Sequence, residues 1–429
     1  MILALGQAGF EDLLALELAS LRAEHSTSSF AKATEDRSNI QRSTPKSEAD
    51  SILNKSEQVE RVDLNALEAC STEKTQESME RGPGWVLTPL RVEHSTSSFA
   101  KATEDRSNIQ HSTSKSEADS IQKKHEKVER VDLNALDLAF PHAVLLEPME
   151  VRGESVNALA QQIADFFMKS LRDERVESAW PCVFACPAEI VGLGRRISGV
   201  EKAFHETLKK KLSRVAKLAV AATPRGAGPA RGLFVFFSDF GRAFVAREAW
   251  LGGQRRMADD EAAPSRSFLK VEEAYGVLGR EPQPGETVCD LGAAPGGWSY
   301  SAAQRGARVV AVDNGPLKGG ALGHRQIEHR CEDAFKFTAK DGEVFDWLFC
   351  DLLEEPHQVL NHIVEPWLAR RWCRRFVINL KFGHVDAMAL LAELRAPGSP
   401  LVAHADSFRV RHLYHDREEL TVVGTVSAH

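Results

Sequence analysis

The sequence predicts an α/β protein whose C-terminal half is a doubly wound, mostly parallel sheet, preceded by an α+β region. Three observations predict it. From about residue 264 strand-like apolar runs alternate with helix-like amphipathic segments, the pattern of a sheet covered on both faces. A glycine-rich turn, 290–298, joins the first of these strands to a helix, and Asp313 ends the next strand. The preceding half lacks this alternation and reads as a basic helix followed by a strand hairpin.

Composition narrows the class. The chain has 429 residues, 54 Lys and Arg against 61 Asp and Glu, and a net charge of −7; 43% hydrophobic and 27% charged residues exclude a wholly disordered chain. No apolar run approaches the roughly 18–20 residues of a membrane helix, so no membrane association is expected. The opening MILALGQAGFEDLLALE has no basic segment before its apolar stretch and is not expected to be a secretory signal. The seven cysteines form no CxxC pair, which fits reduced thiols in a cytoplasmic protein. Cys182 and Cys186 are close in sequence but have no further ligands beside them, and no metal is expected.

In chain order, the first feature is a duplication. Residues 24–67 and 93–136 differ at only six of 44 positions: Arg42/His111, Pro45/Ser114, Leu53/Gln122, Asn54/Lys123, Ser56/His125 and Gln58/Lys127. Solenoid repeats keep buried positions while their surfaces drift, and they stack in threes or more. Two separated copies, alike even at polar positions and with one aromatic residue each, read instead as inserted, disordered surface segments; only their VERVDLNAL ends suggest a short helical turn.

Residues 191–256 carry fourteen Lys and Arg against four acids, a local charge of +10 that leaves −17 on the rest. Such a block is the electrostatic footprint of a polyanion-binding surface. Within it, 205–222 has helical spacing, with Leu208, Leu212, Val215 and Leu218 on one side and Lys209, Lys210, Lys211 and Arg214 on the other. These four cations are the expected nucleic-acid contacts; the competing reading is a merely solvated helix. Residues 232–248 then read as a hairpin turning at SDFG.

The C-terminal elements follow: a helix over 267–279 ended by Gly279, a strand at 286–292, the glycine turn into a helix, and strands at 307–313, 344–352 and 375–381. Helices over 357–372 and 385–396 separate the later strands, and 408–426 closes the domain as a hairpin. The turn Asp290-Leu-Gly-Ala-Ala-Pro-Gly-Gly-Trp298 lacks the glycine that GxGxxG requires two residues before Gly292, which argues against a dinucleotide site. Its small residues leave room for an uncharged or cationic group near the backbone, and Asp313 stands where ribose hydroxyls are read.

DLGAAPGGWSY resembles motif I of the FtsJ-like (RrmJ-type) S-adenosylmethionine-dependent RNA ribose 2′-O-methyltransferases. The succession APSRSFLKVEEA, DLGAAPGGW, VDNGPL, EDAFKF, CDLLEEP, INLKF and LYHDREELTV resembles, more narrowly, the RlmM-like 23S rRNA cytidine 2′-O-methyltransferases, closely over 257–429 and weakly before it. The resemblance implies a Rossmann-like methyltransferase domain over 257–429 and a THUMP-like RNA-binding region over 1–256. It further implies S-adenosylmethionine as cofactor and 23S rRNA or a large-subunit precursor as partner. A monomeric enzyme is expected. The duplicated segments depart from the family pattern.

The same resemblance implies a Lys-Asp-Lys-Glu tetrad at Lys270, Asp351, Lys381 and Glu419, with Glu418 the competitor for the last place. It implies a cofactor site at Ser267, Ala294, Pro295, Gly296, Gly297, Trp298, Asp313, Asp333 and Asp351. The chemistry accounts for the residue types. A ribose hydroxyl is a poor nucleophile, so a base must take its proton as the methyl moves in line. Lys381 is the expected base, with Lys270 a like charge that disfavours its ammonium form and the two carboxylates orienting both lysines. Ser267 to Lys270 also spells S-x-x-K, but the SDN and KTG elements of penicillin-recognising hydrolases are missing. Two other readings share these residues: an FtsJ-like enzyme acting on another RNA, and an RNA-binding ribosome-assembly factor without activity.

Overall fold

The computed structural model describes residues 1–20, 79–89, 91–92, 130–131, 137–171, 174–340 and 342–427. The C-terminal half forms a seven-stranded sheet from β1 (Thr287–Leu291), β2 (Arg308–Val312), β3 (Ile327–Arg330), β4 (Phe345–Cys350), β5 (Cys373–Lys381), β6 (Ser407–Arg411) and β7 (Glu419–Thr425), in the order β3-β2-β1-β4-β5-β7-β6. The first five neighbours run parallel, whereas β7 is antiparallel to both β5 and β6. The chain leaves β1 for β2 and β3 on one side and returns to β4 on the other. That reversal opens a crevice at the carboxyl ends of β1 and β4, where such sheets hold ligands.

The strands are apolar on both faces because both are covered. Cys289, Leu291, Leu348, Cys350, Phe376 and Ile378 point into one core, and Val288, Val309, Trp347, Phe349 and Val377 into the other. Helices α1 (Phe268–Leu278) and α2 (Gly297–Gln304) cover the second face. The first core continues into the N-terminal region through Ile2, Leu14, Phe140 and Trp250. Each such fully buried side chain contributes about 1.5–3 kcal/mol of apolar transfer.

The expected helix over 357–372 is broken into Pro356–Val359, a wider π turn at Leu360–Val364, and Glu365–Ala369. Pro366 supplies no N–H to the preceding turn, which relaxes the helical ladder there. The C-terminal hairpin forms as expected, as β6 and β7. Edge strand β3 and the short Pro400–His404 helix are elements the sequence patterning did not resolve.

The N-terminal region builds a nine-stranded mixed sheet. Gly228–Phe237 and Arg242–Leu251 are the expected hairpin, longer than its apolar pattern, with an irregularity between Arg231 and Phe234. Helices Val156–Ser170 and Leu193–Lys211 pack on the face bearing Leu233, Val235 and Phe237. The helix expected over 205–222 therefore ends early. Ser213–Lys217 is one separate turn and Ala219–Val220 is a strand beside Trp180. Trp180 explains the break: its backbone N–H donates to the Leu218 carbonyl at 3.0 Å and its Nε1 to the Val215 carbonyl at 2.9 Å, drawing this stretch to the sheet edge. The first duplicated copy lies outside the described residues. In the second only Arg130–Val131 is described, and it pairs as a strand with Arg91–Val92; the rest of the expected helical turn lies outside the described residues.

Candidate active site

The site is assembled where β1 gives way to its glycine turn. Gly292 has φ 80°, and a Cβ there would lie 2.8 Å from the Leu352 side chain and 3.2 Å from the Asp351 carbonyl oxygen. Gly296 has φ 106° and would bring a Cβ to 2.5 Å from that of Ala321. Only glycine combines that backbone conformation with so close an approach, so the turn is pressed against the end of β4. Trp298 opens α2, packs edge-on against Phe349 and donates its Nε1–H to the Ser267 carbonyl at 2.9 Å. This docks the start of α1 on the turn.

Two aspartates brace the turn. Asp313, at the end of β2, accepts the Ala294 N–H at 3.0 Å and the Gly315 N–H at 2.6 Å. Asp290 is buried in β1 and accepts the Ser299 hydroxyl at 2.6 Å, while its Oδ1 has no partner among the described residues. Burial pushes the Asp290 carboxyl up to about 7 against the pull of the Ser299 bonds, and Asp351 adds to the rise.

The strand register supplies the rest. In the β5–β7 ladder Lys381 lies opposite Glu419, so the last residue of one strand meets the first of the other. Lys381 Nζ donates to Asp351 Oδ1 at 2.6 Å, and the Ser267 hydroxyl donates to Asp351 Oδ2 at 2.7 Å. Lys270 Nζ pairs with Glu419 Oε2, so of the two adjacent acids it is Glu419 that meets the lysine. Burial raises the Asp351 carboxyl, but Lys381 and Lys270 overcome it and hold the group below its usual value. Burial works equally against the Lys270 ammonium, and Asp351, Glu419 and Asp416 hold it above the ordinary lysine value.

One cleft collects Ser267, Lys270, Asp351, Lys381 and Glu419 with Ala294, Pro295, Gly297 and Trp298 from the turn. Gly296, Asp313 and Asp333 lie outside its lining. Asp333 caps a turn after β3, accepting the Phe335 N–H at 3.0 Å, with Lys336 3.3 Å away. Ser265, Asp290 and Leu353 also line the cleft; they stand inside the motifs quoted above, but none was assigned to the site. Asp416, inside LYHDREELTV, was likewise not assigned to the site. It is buried, accepts the Leu413 N–H at 2.9 Å and the Thr421 hydroxyl at 3.0 Å, and is pushed by burial up to about 7.

Lys209, Lys210, Lys211 and Arg214 are exposed at the end of the Leu193–Lys211 helix and just beyond it, apart from the cleft. The surrounding basic block is partly neutralised. Arg231 and Arg247 pair with Glu174, and Arg242 with Glu150 and Glu80. Arg225, Arg255 and Arg256 are exposed and in no ion pair among the described residues. Among those residues no group of three or more His, Cys, Asp or Glu side chains is placed to hold a metal ion, and no helix is long and apolar enough to cross a membrane.

Residues 263–405 match the family profile of the FtsJ-like methyltransferases. The chain is 37% identical over 244 residues to the ribosomal RNA large subunit methyltransferase M of Laribacter hongkongensis, a match covering 53% of this chain and 66% of that protein. It is 34% identical over 249 residues to the protein of the same name from Stenotrophomonas maltophilia (strain R551-3), covering 54% and 67%. The chain thus spans just under two thirds of the first of these relatives. Among solved structures, a putative hemolysin from Streptococcus thermophilus is similar with a TM-score of 0.33 and 18% identity, over 42% of this chain and 71% of that one.

Proposed function

The chain belongs to the family of the ribosomal RNA large subunit methyltransferases M, and we propose that it transfers a methyl group from S-adenosylmethionine to the ribose 2′-hydroxyl of a cytidine in 23S rRNA. The observation that carries this reading is the convergence of two lysine–carboxylate pairs, Lys381 with Asp351 and Lys270 with Glu419, on the cleft beside the glycine turn. In this reading residues 257–429 are the catalytic domain and 1–256 a THUMP-like RNA-binding region. The protein works as a monomer in the cytoplasm, on 23S rRNA or its large-subunit precursor.

The residues fit the cofactor. The small-residue turn leaves space at the end of β1, and Asp290 Oδ1 and Ser265 Oγ, both buried and without partners among the described residues, line that space. They suit an ammonium and a polar hydrogen of the bound molecule. Asp313 braces the turn through the Ala294 and Gly315 amides and would hold the cofactor's ribose hydroxyls, and Asp333 would serve its adenine, as the family resemblance implies. When bound, S-adenosylmethionine supplies a methyl group on a positively charged sulfur.

The protein's own part is positioning and proton transfer. Lys381 takes the 2′-hydroxyl proton at Nζ, and Asp351 aims that nitrogen. Ser267 holds the other Asp351 oxygen and so fixes the carboxylate plane. Lys270, kept cationic by three carboxylates, is the fixed charge that steadies the developing alkoxide. Lys209, Lys210, Lys211 and Arg214 supply phosphate contacts, which position RNA without reading its sequence. The test is a map of ribose methylation in total RNA from cells with and without the gene. Loss of one 2′-O-methylcytidine from 23S rRNA is expected, and an unchanged map overturns the reading.

A further inference from the structure

Glu273 lies on α1 one turn after Lys270, with 0% of its surface exposed. No Lys or Arg pairs with it among the described residues. Its carboxylate instead accepts three backbone amides: Oε1 those of Arg255 and Tyr414, both at 3.0 Å, and Oε2 that of His415 at 3.3 Å. A buried carboxyl group is costly, and an apolar side chain of the same volume would fill the space without that cost. What the carboxylate adds is a fixed geometry among three segments.

Those segments matter to the cleft. Arg255 belongs to the linker that leaves the N-terminal sheet after Leu251. Tyr414 and His415 belong to the loop between β6 and β7, which runs directly into Glu419. Helix α1 carries Lys270 and is preceded by Ser267. Further bonds tie linker and loop together: Met257 N–H donates to His415 Nε2 at 2.9 Å, and Arg411 Nε to the Gly252 carbonyl at 3.0 Å. The His142 ring, from the N-terminal region, lies against that of Tyr414, centroids 3.9 Å apart and planes tilted by 55°. Asp416 then anchors the far side of the loop on Thr421 of β7.

We propose that Glu273 is a positioning residue for methyl transfer: it clamps the linker from the N-terminal region and the β6–β7 loop onto α1, so that Lys270 and Glu419 are set against each other only while the linker is seated. The inference rests on the methyltransferase reading above. It makes the N-terminal region part of the catalytic geometry as well as a surface for RNA.

The test is Glu273→Gln in the full chain. The amide keeps the shape but turns an N–H2 group toward the amide donors. Because a misplacement of about 1 Å can cost a hundredfold in rate, kcat is expected to fall at least tenfold. The KM for S-adenosylmethionine should stay within twofold, and amide exchange at 255 and 413–416 should accelerate. Glu17→Gln is the control for a purely structural carboxylate. Glu17 is equally buried, accepts the Ala139 and Phe140 amides at 2.8 and 2.9 Å, pairs with Arg395 at 3.3 Å and does not line the cleft. It should lose comparable melting temperature and keep kcat within twofold. Glu273→Asp, which withdraws the carboxylate by one methylene, should repeat the kcat loss in a folded protein. The proposal is overturned if folded Glu273→Gln retains kcat within twofold, if Glu17→Gln loses kcat in step, or if neither Glu273 variant folds. Amide exchange reads the clamp without activity, so an inactive wild type with the expected exchange pattern would refute the methyltransferase reading and leave the clamp standing.

Discussion

Replacing Lys381 separates its two jobs, because arginine keeps one and alanine keeps neither. In Lys381→Ala the base is gone, and general-base catalysis typically supplies about 10²–10⁴-fold in rate, or about 3–5.5 kcal/mol of barrier. The substitution also strips Asp351 of its partner at 2.6 Å, leaving the carboxylate with Ser267 and the field of Lys270. The pair is only 20% and 17% exposed, which places its loss between the surface and buried limits, about 1–3 kcal/mol. Lys381→Arg can still pair with Asp351 but cannot shed a proton near neutral pH. Both variants should therefore lose at least a hundredfold in methyl transfer, while only Lys381→Ala loses several degrees of melting temperature. S-adenosylmethionine affinity should change less than threefold in either, since the turn that holds it is untouched. The measurements are single-turnover tritiated-methyl transfer, calorimetric cofactor binding and thermal unfolding. Turnover of Lys381→Arg within tenfold of wild type would refute the assignment, make Lys381 an electrostatic anchor and move the search for the base to Lys270.

Asp313→Ala should do the opposite, raising the cofactor KM more than it lowers kcat, because it frees the Ala294 and Gly315 amides that shape the turn; steady-state kinetics at varied cofactor reads the split. Stability should fall as pH rises from about 6.5 to about 8; below that, the buried rings of His142 and His412, which burial lowers to about 3 and about 4, gain stability with rising pH and offset the acids. Burial pushes Asp290 and Asp416 up to about 7 and Glu273 up to about 8, so the folded state holds protons the unfolded chain has released, and that advantage disappears as pH passes the folded values. The lowered Asp351 contributes evenly across this window. A melting-temperature series over that range, flattened in Asp416→Asn, is the check. Replacing Lys209, Lys210 and Lys211 together should weaken RNA binding and reduce its salt slope by up to about three, one for each phosphate no longer neutralised; filter binding against salt measures it. Deleting 24–67 and 93–136 should leave soluble protein with unchanged cofactor affinity, read by calorimetry.

The legible parts of the molecule are those where local pattern and tertiary environment agree. Strands β1, β2, β4 and β5 are buried on both faces, so their continuous apolar runs stand out, and the turn at 290–298 is constrained by its own glycines. Edge strand β3, IEHR, is polar and half exposed, so no alternation marks it. The helix expected over 205–222 ended early because Trp180, more than thirty residues before, bonds the Val215 and Leu218 carbonyls, a pairing with no local trace. Within the cleft, lysines and acids at strand ends were visible as chemistry-bearing residues. Asp416 and Glu273 were not, since each acts through backbone amides or hydroxyls brought together by the fold. Glu419, favoured over Glu418 from the sequence, is the acid that the β5–β7 register puts opposite Lys381.

The central claim, a lysine-driven methyl transfer to a ribose hydroxyl of 23S rRNA, is tested most directly by incubating the purified chain with tritiated S-adenosylmethionine and 23S rRNA lacking ribose methylation. The RNA is then digested and the labelled nucleoside identified. The account predicts label in 2′-O-methylcytidine from 23S rRNA, stoichiometric with RNA for the wild type and at least a hundredfold slower for Lys381→Ala. Label on a base, label in no ribose of 23S rRNA, or equal rates for the two proteins would contradict it.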